Sequence, residues 1–124
     1  MTRVLLVDDD KDVLWLTACV LQADPTLTLV GKAVDGESAV AMVQQHRPDV
    51  VAMDLVMPGF DGLEATRRIK EWWPETKILV LTSLTEDDFR EAAYDSGADG
   101  FLNKRDIASR LLLAIRAVTS ALRV

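Results

Sequence analysis

One cysteine, Cys19, and one histidine, His46, in 124 residues exclude an internal disulfide and leave no Cys/His set at metal-ligand spacing. Cys19 reads as a small helix residue, and His46, beside Arg47 and Pro48 at the end of a helical stretch, as a structural one. The six glycines form neither a GxGxxG turn nor a Walker loop. Three consecutive aspartates, Asp8, Asp9 and Asp10, stand where a phosphate cradle would follow the first apolar run, which argues against dinucleotide and P-loop chemistry. Basic residues are in deficit, 14 against 20 acidic, giving a formal charge of −6 and a pI near 4.7. That field opposes nucleic acid and anionic membrane as partners of this domain. The longest apolar run is only Leu111–Ile115, far short of a membrane span, and no signal-peptide core precedes Asp8. The expectation is a cytoplasmic protein.

What is present is a periodic alternation. Apolar, mostly β-branched runs at Val4–Val7, Leu27–Val34, Val50–Met53, Ile78–Leu81 and Gly100–Asn103 have strand length. Between and after them, Lys11–Ala23, Glu37–His46, Leu63–Trp73, Glu86–Ser96 and Ile107–Leu122 carry helical periodicity. Pro25, Gly36, Pro48, Pro58, Gly59, Pro74 and Gly97 mark the joints. Strict β–α alternation predicts a parallel sheet covered by helices on both faces, in the flavodoxin-like order 2-1-3-4-5. Residues 1–124 read as one domain, and 49% apolar residues supply a core without disulfide or structural metal.

Open parallel sheets place their sites beyond the carboxyl ends of the strands. There the sequence puts Asp8, Asp9 and Asp10 after the first run, Asp54 after the third, Thr82 and Ser83 after the fourth, and Lys104 after the fifth. In the predicted order these side chains converge on one edge. Asp8, Asp9 and Asp54 carry −3 against the +1 of Lys104, an imbalance that a divalent cation would relieve. Oxygen ligands without Cys or His favour Mg2+ or Mn2+ over zinc. The set suits phosphoryl transfer, with Asp54 as nucleophile, the cation and Lys104 neutralising phosphoryl oxygens, and Thr82 donating a hydrogen bond. Asp10, just before a helix, is better read as its cap. Met42, Met53 and Met57 read as core filler, and Arg67, Arg68 and Lys70 as a solvated helix face.

Four segments at these separations make the sequence resemble a two-component response-regulator receiver domain of the CheY-like kind over its whole length. They are Val4–Asp10, Val51–Gly59 with Asp61 and Gly62, Val80–Ser83, and Gly97–Lys104. The resemblance implies that Asp54 accepts a phosphoryl group from a phosphohistidine on a sensor histidine kinase. It further implies that Asp9 and Asp54 bind Mg2+ directly, Asp8 mainly through water, and Val56 through its backbone carbonyl. Thr82 and Phe101 match the switch pair of the family. A receiver regulates by accepting phosphate and is not an enzyme acting on separate substrates; an aspartyl-nucleophile phosphatase is the rival reading, but it wants a carboxylate where Val56 stands.

Two departures qualify the match. Arg105 follows the lysine where many receivers have a proline, and the switch aromatic is phenylalanine. The first resembles the NarL/FixJ subfamily, which implies transcription control through a DNA-binding domain after Val124; a stand-alone receiver is the alternative. A homodimer is expected on phosphorylation. The helix from Lys11 is read with Val13, Leu16, Thr17 and Val20 buried and Trp15 opposite them, and the last helix with Leu113 pointing away from its core stripe, so Trp15 and Leu113 are candidates for a partner surface. Val56 and Leu84, at the positions that flank the hydrolytic water in receivers, cannot hold or deprotonate it, which predicts a long-lived phosphorylated state.

Overall fold

The computed structural model describes residues 1–57, 62–83 and 87–120, with the side chains of 87–89 set aside. Five strands, β1 (Thr2–Val7), β2 (Leu27–Ala33), β3 (Val50–Asp54), β4 (Lys77–Thr82) and β5 (Gly100–Asn103), alternate with five helices. The helices are α1 (Lys11–Gln22), α2 (Gly36–His46), α3 (Gly62–Trp72), α4 (Asp87–Asp95) and α5 (Ile107–Ser120), and a 3-10 turn, Lys104–Asp106, leads into α5. All pairings are parallel and the order is β2-β1-β3-β4-β5, as the alternation predicts. Leu84, Pro58, Gly59, Asp61 and Leu122 lie outside the described residues.

Strand side chains divide the core in two, since successive residues face opposite sides of a sheet. Val4, Leu6, Val50, Ala52, Leu79, Leu81 and Leu102 meet Leu14, Ala18 and Leu21 of α1 and Leu111, Ile115 and Val118 of α5. Leu5, Val7, Val51, Met53, Ile78 and Val80 meet Ala39 and Val43 of α2 and Ala65 and Ile69 of α3 on the other side. Met53 and Met57 are buried here and Met42 packs against them, which agrees with their reading as filler.

The phase of α1 differs from expectation. Leu14, Thr17, Ala18 and Leu21 are its buried residues, while Leu16 is 40% exposed. Moving the stripe from Val13 to Leu14 turns the helix by about 100°. Asp10 fixes that phase: its Oδ1 accepts from the amides of Asp12 at 2.9 Å and Val13 at 3.4 Å, capping the first turn as expected. Trp15 consequently flanks the buried stripe at about 110° instead of opposing it, and it remains 67% exposed. In α5, Ile107, Leu111, Ile115 and Val118 are buried, and Leu113 is 65% exposed, on the side away from them as expected. Among the described residues no helix is long and apolar enough to cross a membrane.

Candidate functional site: an acidic cluster at the strand ends

The carboxyl ends of β1, β3, β4 and β5 lie side by side, and the polar residues that stop these apolar strands meet there. Asp8 leaves β1 with its amide still donating to Ala33 O at 3.0 Å, so its side chain is held at the sheet edge. Its Oδ1 accepts from the Asp10 amide at 2.9 Å. Asp54 is the last residue of β3, one residue longer than the apolar run suggested, in register with Leu81. Thr82 closes β4 opposite Asn103 and is buried, whereas Ser83 is exposed. Asp8 and Asp54 are buried and Asp9 is exposed, so the cluster opens to solvent on one side.

Lys104 bridges the two buried carboxylates. Its Nζ is 2.7 Å from Asp8 Oδ2 and 3.2 Å from Asp54 Oδ1. The Val56 amide reaches the same Asp54 oxygen at 3.4 Å. One ammonium cannot satisfy two buried carboxylates. Burial, and then the charge of Asp8, push the Asp54 carboxyl up to about 6, and Lys104 offsets only part of this. Burial alone would lower the Lys104 ammonium, yet the Asp8 carboxylate 2.7 Å away and the charge of Asp54 leave it raised and firmly protonated. The site therefore holds excess negative charge in a partly desolvated place.

Two observations test whether the residues suit a divalent cation. Carboxylate oxygens of Asp8, Asp9 and Asp54 all lie within 4.8 Å of one another. Asp8 Oδ2 is fully buried and accepts no well-directed hydrogen bond; the Lys104 ammonium is close to it but off the hydrogen-bond direction. An oxygen-only set of this size, open on the Asp9 side to water, fits a hard cation such as Mg2+.

The neighbouring loops are shaped to the cluster. The Gly62 amide donates to Leu55 O at 3.0 Å, bringing the start of α3 against the end of β3. A Cβ at Gly62 would lie 1.9 Å from Asp54 O, so only glycine fits this approach. Phe101, in β5, is half-buried and packs against the core on the α2/α3 side. The Arg90 guanidinium lies over its ring at 5.1 Å, a contact between residues far apart in sequence that no local pattern signals. The Val56 side chain is 62% exposed beside Asp54. The Lys104–Arg105 peptide is trans. Trp15 and Leu113 sit on α1 and α5, away from the cluster but on helices that pack together.

A doubly wound sheet thus gathers two buried carboxylates, an exposed third, a buried hydroxyl and a bridging lysine at its strand ends, the arrangement expected of a receiver domain. The chain belongs to the response regulator receiver domain family, whose model matches residues 4–116. It is 41% identical over 119 residues to the transcriptional regulatory protein LiaR of Bacillus subtilis, covering 96% of this chain and 56% of that protein. With the response regulator protein VraR of Staphylococcus aureus it shares 36% over 114 residues, 92% of this chain and 54% of the other. The chain thus spans about half the length of the curated relatives it matches. Among solved structures, a LuxR-family two-component response regulator from an Aurantimonas species superposes with a TM-score of 0.93 at 32% identity, covering 98% of this chain and 86% of that one. The response regulator domain of Thermotoga maritima CheB gives 0.90 at 31%, covering 97% of each. These likenesses agree with a NarL/LuxR-type receiver.

Proposed function

We propose that residues 1–124 form one receiver unit, a phosphorylation-controlled switch in which Asp54 accepts a phosphoryl group from a phosphohistidine on a sensor histidine kinase. The observation that carries this reading is the bridging of Asp8 and Asp54 by Lys104 beside Asp9. In the transfer an Asp54 carboxylate oxygen forms the new P–O bond as the P–N bond of the donor breaks, the electron pair leaving with the imidazole. Lys104 then exchanges part of its carboxylate contact for a phosphoryl oxygen, and the Thr82 hydroxyl donates a second hydrogen bond. Asp8, Asp9, Asp54 and the Val56 carbonyl would hold Mg2+, which when bound supplies charge neutralisation for the crowded carboxylates and the incoming phosphoryl oxygens.

Drawing Thr82 and Lys104 toward a dianion reshapes the ends of β4 and β5, with Phe101 as the second member of the switch. The consequences are a homodimer, with Trp15 and Leu113 contributing to its surface, and control of transcription through a DNA-binding domain carried by the longer protein, as the name of the Bacillus subtilis relative suggests. The domain acts in the cytoplasm and turns over no separate substrate: Val56 puts an exposed apolar side chain where an aspartyl-nucleophile hydrolase needs an acid-base carboxylate. Intact-mass measurement after incubation with acetyl phosphate and Mg2+ tests the reading. The parent is expected to gain one phosphoryl group and the Asp54→Asn variant none; equal labelling of both would refute Asp54 as acceptor.

A further inference from the structure

The α2–α3 side of the sheet carries a groove that the acidic cluster does not use. Val40 and Gln44, one turn apart on α2, lie across from Arg68 and Trp72, one turn apart on α3. Trp73, just past α3, completes the lining of a space of about 320 Å3. The two indoles differ in support. Trp73 is buried in the core on this side of the sheet, with the Arg47 guanidinium over its ring at 5.1 Å. Trp72 is 72% exposed, its ring centroid 6.4 Å from that of Trp73 and its plane tilted by 41°. One fixed ring and one open ring thus form an angled aromatic wall, with half-buried Val40 beside it. Among the described residues Arg68 is the one charged group in the lining. Glu64, which takes the Arg68 Nε at 3.2 Å, and Glu71 stand on α3 outside it.

We propose that this groove is a binding site for a small planar aromatic carboxylate, its ring lying against Trp72 and Trp73, its carboxylate received by Arg68 and its polar edge by the Gln44 amide. Three properties of the groove select that class. Indole faces favour flat rings. A guanidinium takes a carboxylate in two parallel hydrogen bonds, and here it is the charge that the lining offers. A space at the lower end of ligand-site volumes admits one or two fused rings and is too small for a folded peptide segment. A polyphosphate is the poorer occupant, since two indoles and an aliphatic side chain leave it a single cation. The groove lies at the opposite end of α3 from Gly62, which packs against Asp54, a separation of about 15 Å along the helix. Binding there requires no phosphoryl transfer, so it stands or falls separately from the proposed function.

The test follows the indole N–H signals of Trp15, Trp72 and Trp73 by proton–nitrogen correlation spectroscopy while the unphosphorylated domain is titrated with 2-naphthoate. Trp72 and Trp73 should shift saturably, with a dissociation constant at or below about 1 mM. Trp15, on α1 across the sheet, should not. Naphthalene-2-carboxamide, the same ring without the charge, should bind about fivefold more weakly or worse, and so should naphthoate to Arg68→Gln. Arg110→Gln, an equal change in net charge on α5, should stay within about twofold. Trp72→Ala should abolish the shift of Trp73. Arg68, Trp72 and Arg110 are exposed, so the core is untouched, and unchanged backbone amide signals away from each substitution establish that the variants are folded. The proposal is overturned by no saturable shift, by carboxamide binding as tight as that of naphthoate, by equal losses in Arg68→Gln and Arg110→Gln, or by binding that survives Trp72→Ala. It is also overturned if decaproline moves both indoles at lower concentration, which makes the groove a proline-peptide site, or if raising the protein concentration alone moves them, which makes it a self-association face.

Discussion

Asp54 should destabilise the metal-free domain it serves, and replacing it with Asn should reveal by how much. The carboxyl is buried beside Asp8 with one lysine shared between them, and its pKa rises from 3.8 to about 6. A carboxyl whose pKa is higher folded than unfolded holds its proton more tightly in the folded state. Below pH 4 both states are protonated, and parent and variant should be close in stability. Between pH 4 and 6 the unfolded chain gives up its proton first, so the parent loses ground steadily. Above pH 6 the gap is constant, and a shift of about two units corresponds to about 3 kcal/mol at most. The exposed Asp9 side admits solvent that screens the repulsion, which brings the expectation to about 1–3 kcal/mol.

Urea unfolding of parent and Asp54→Asn in EDTA, from pH 4.5 to 8, measures this directly. With a urea dependence of about 1–2 kcal/mol per molar for a domain of this size, the variant midpoint should exceed the parent's by about 0.5–3 M at pH 8 and converge with it toward pH 4.5. Saturating Mg2+ should narrow the gap, since a cation that binds the folded parent stabilises it by mass action. A difference independent of pH, or a variant less stable than the parent at pH 8, would show that the attraction of Lys104 outweighs burial and the repulsion from Asp8.

Three further outcomes follow from the same geometry. Asp9→Asn removes the solvent-facing carboxylate of the cluster and should weaken Mg2+ binding by about tenfold or more, read by titration calorimetry; unchanged affinity would exclude Asp9 as a ligand. Val56→Asn with Leu84→Glu supplies groups able to position and deprotonate a water, and should shorten the phosphorylated lifetime by about tenfold; radiolabel decay no faster than in the parent would free these positions of that role. Sedimentation of the phosphorylated domain should show dimers that Leu113→Asp and Trp15→Ala weaken. Dimers as strong as the parent's would place the interface elsewhere.

The candidate site was legible because a parallel sheet converts sequence position into spatial position with few choices. Once the apolar runs were ordered 2-1-3-4-5, the residues that end them had to meet, and Asp8, Asp54, Thr82 and Lys104 do so at the ends of β1, β3, β4 and β5. Helix phase offers more choices. Val13, Leu14, Leu16, Thr17, Ala18, Val20 and Leu21 place apolar or small residues around much of α1, so two stripes one residue apart compete on nearly equal terms. The tie is broken by the Asp10 cap and by the packing of α1 beside α5, one a local hydrogen bond and the other a contact some ninety residues away. Long-range pairs left still less trace. Nothing about Asp24, in a loop beside Pro25, distinguishes it from a turn residue, yet it is buried, takes the Arg116 guanidinium at 2.6 Å, and has its carboxyl lowered to about 2, chiefly by hydrogen bonds from Thr26 with Arg116 adding to them.

The aspartate triplet shows where the boundary falls. Residues identical in chemistry and adjacent in sequence take three positions: Asp8 buried against Lys104, Asp9 exposed at the mouth, and Asp10 turned to the amides of α1. What separates them is the change from strand to helix geometry within three residues. Asp8 is still held to β2 through its amide, Asp10 is already committed to the helix, and Asp9 lies between two constraints with its side chain directed to solvent. On the proposed reading Asp9 would therefore be the carboxylate of the cluster most able to move toward a cation. Asp8 and Asp54 carry the burial that would make a cation favourable there.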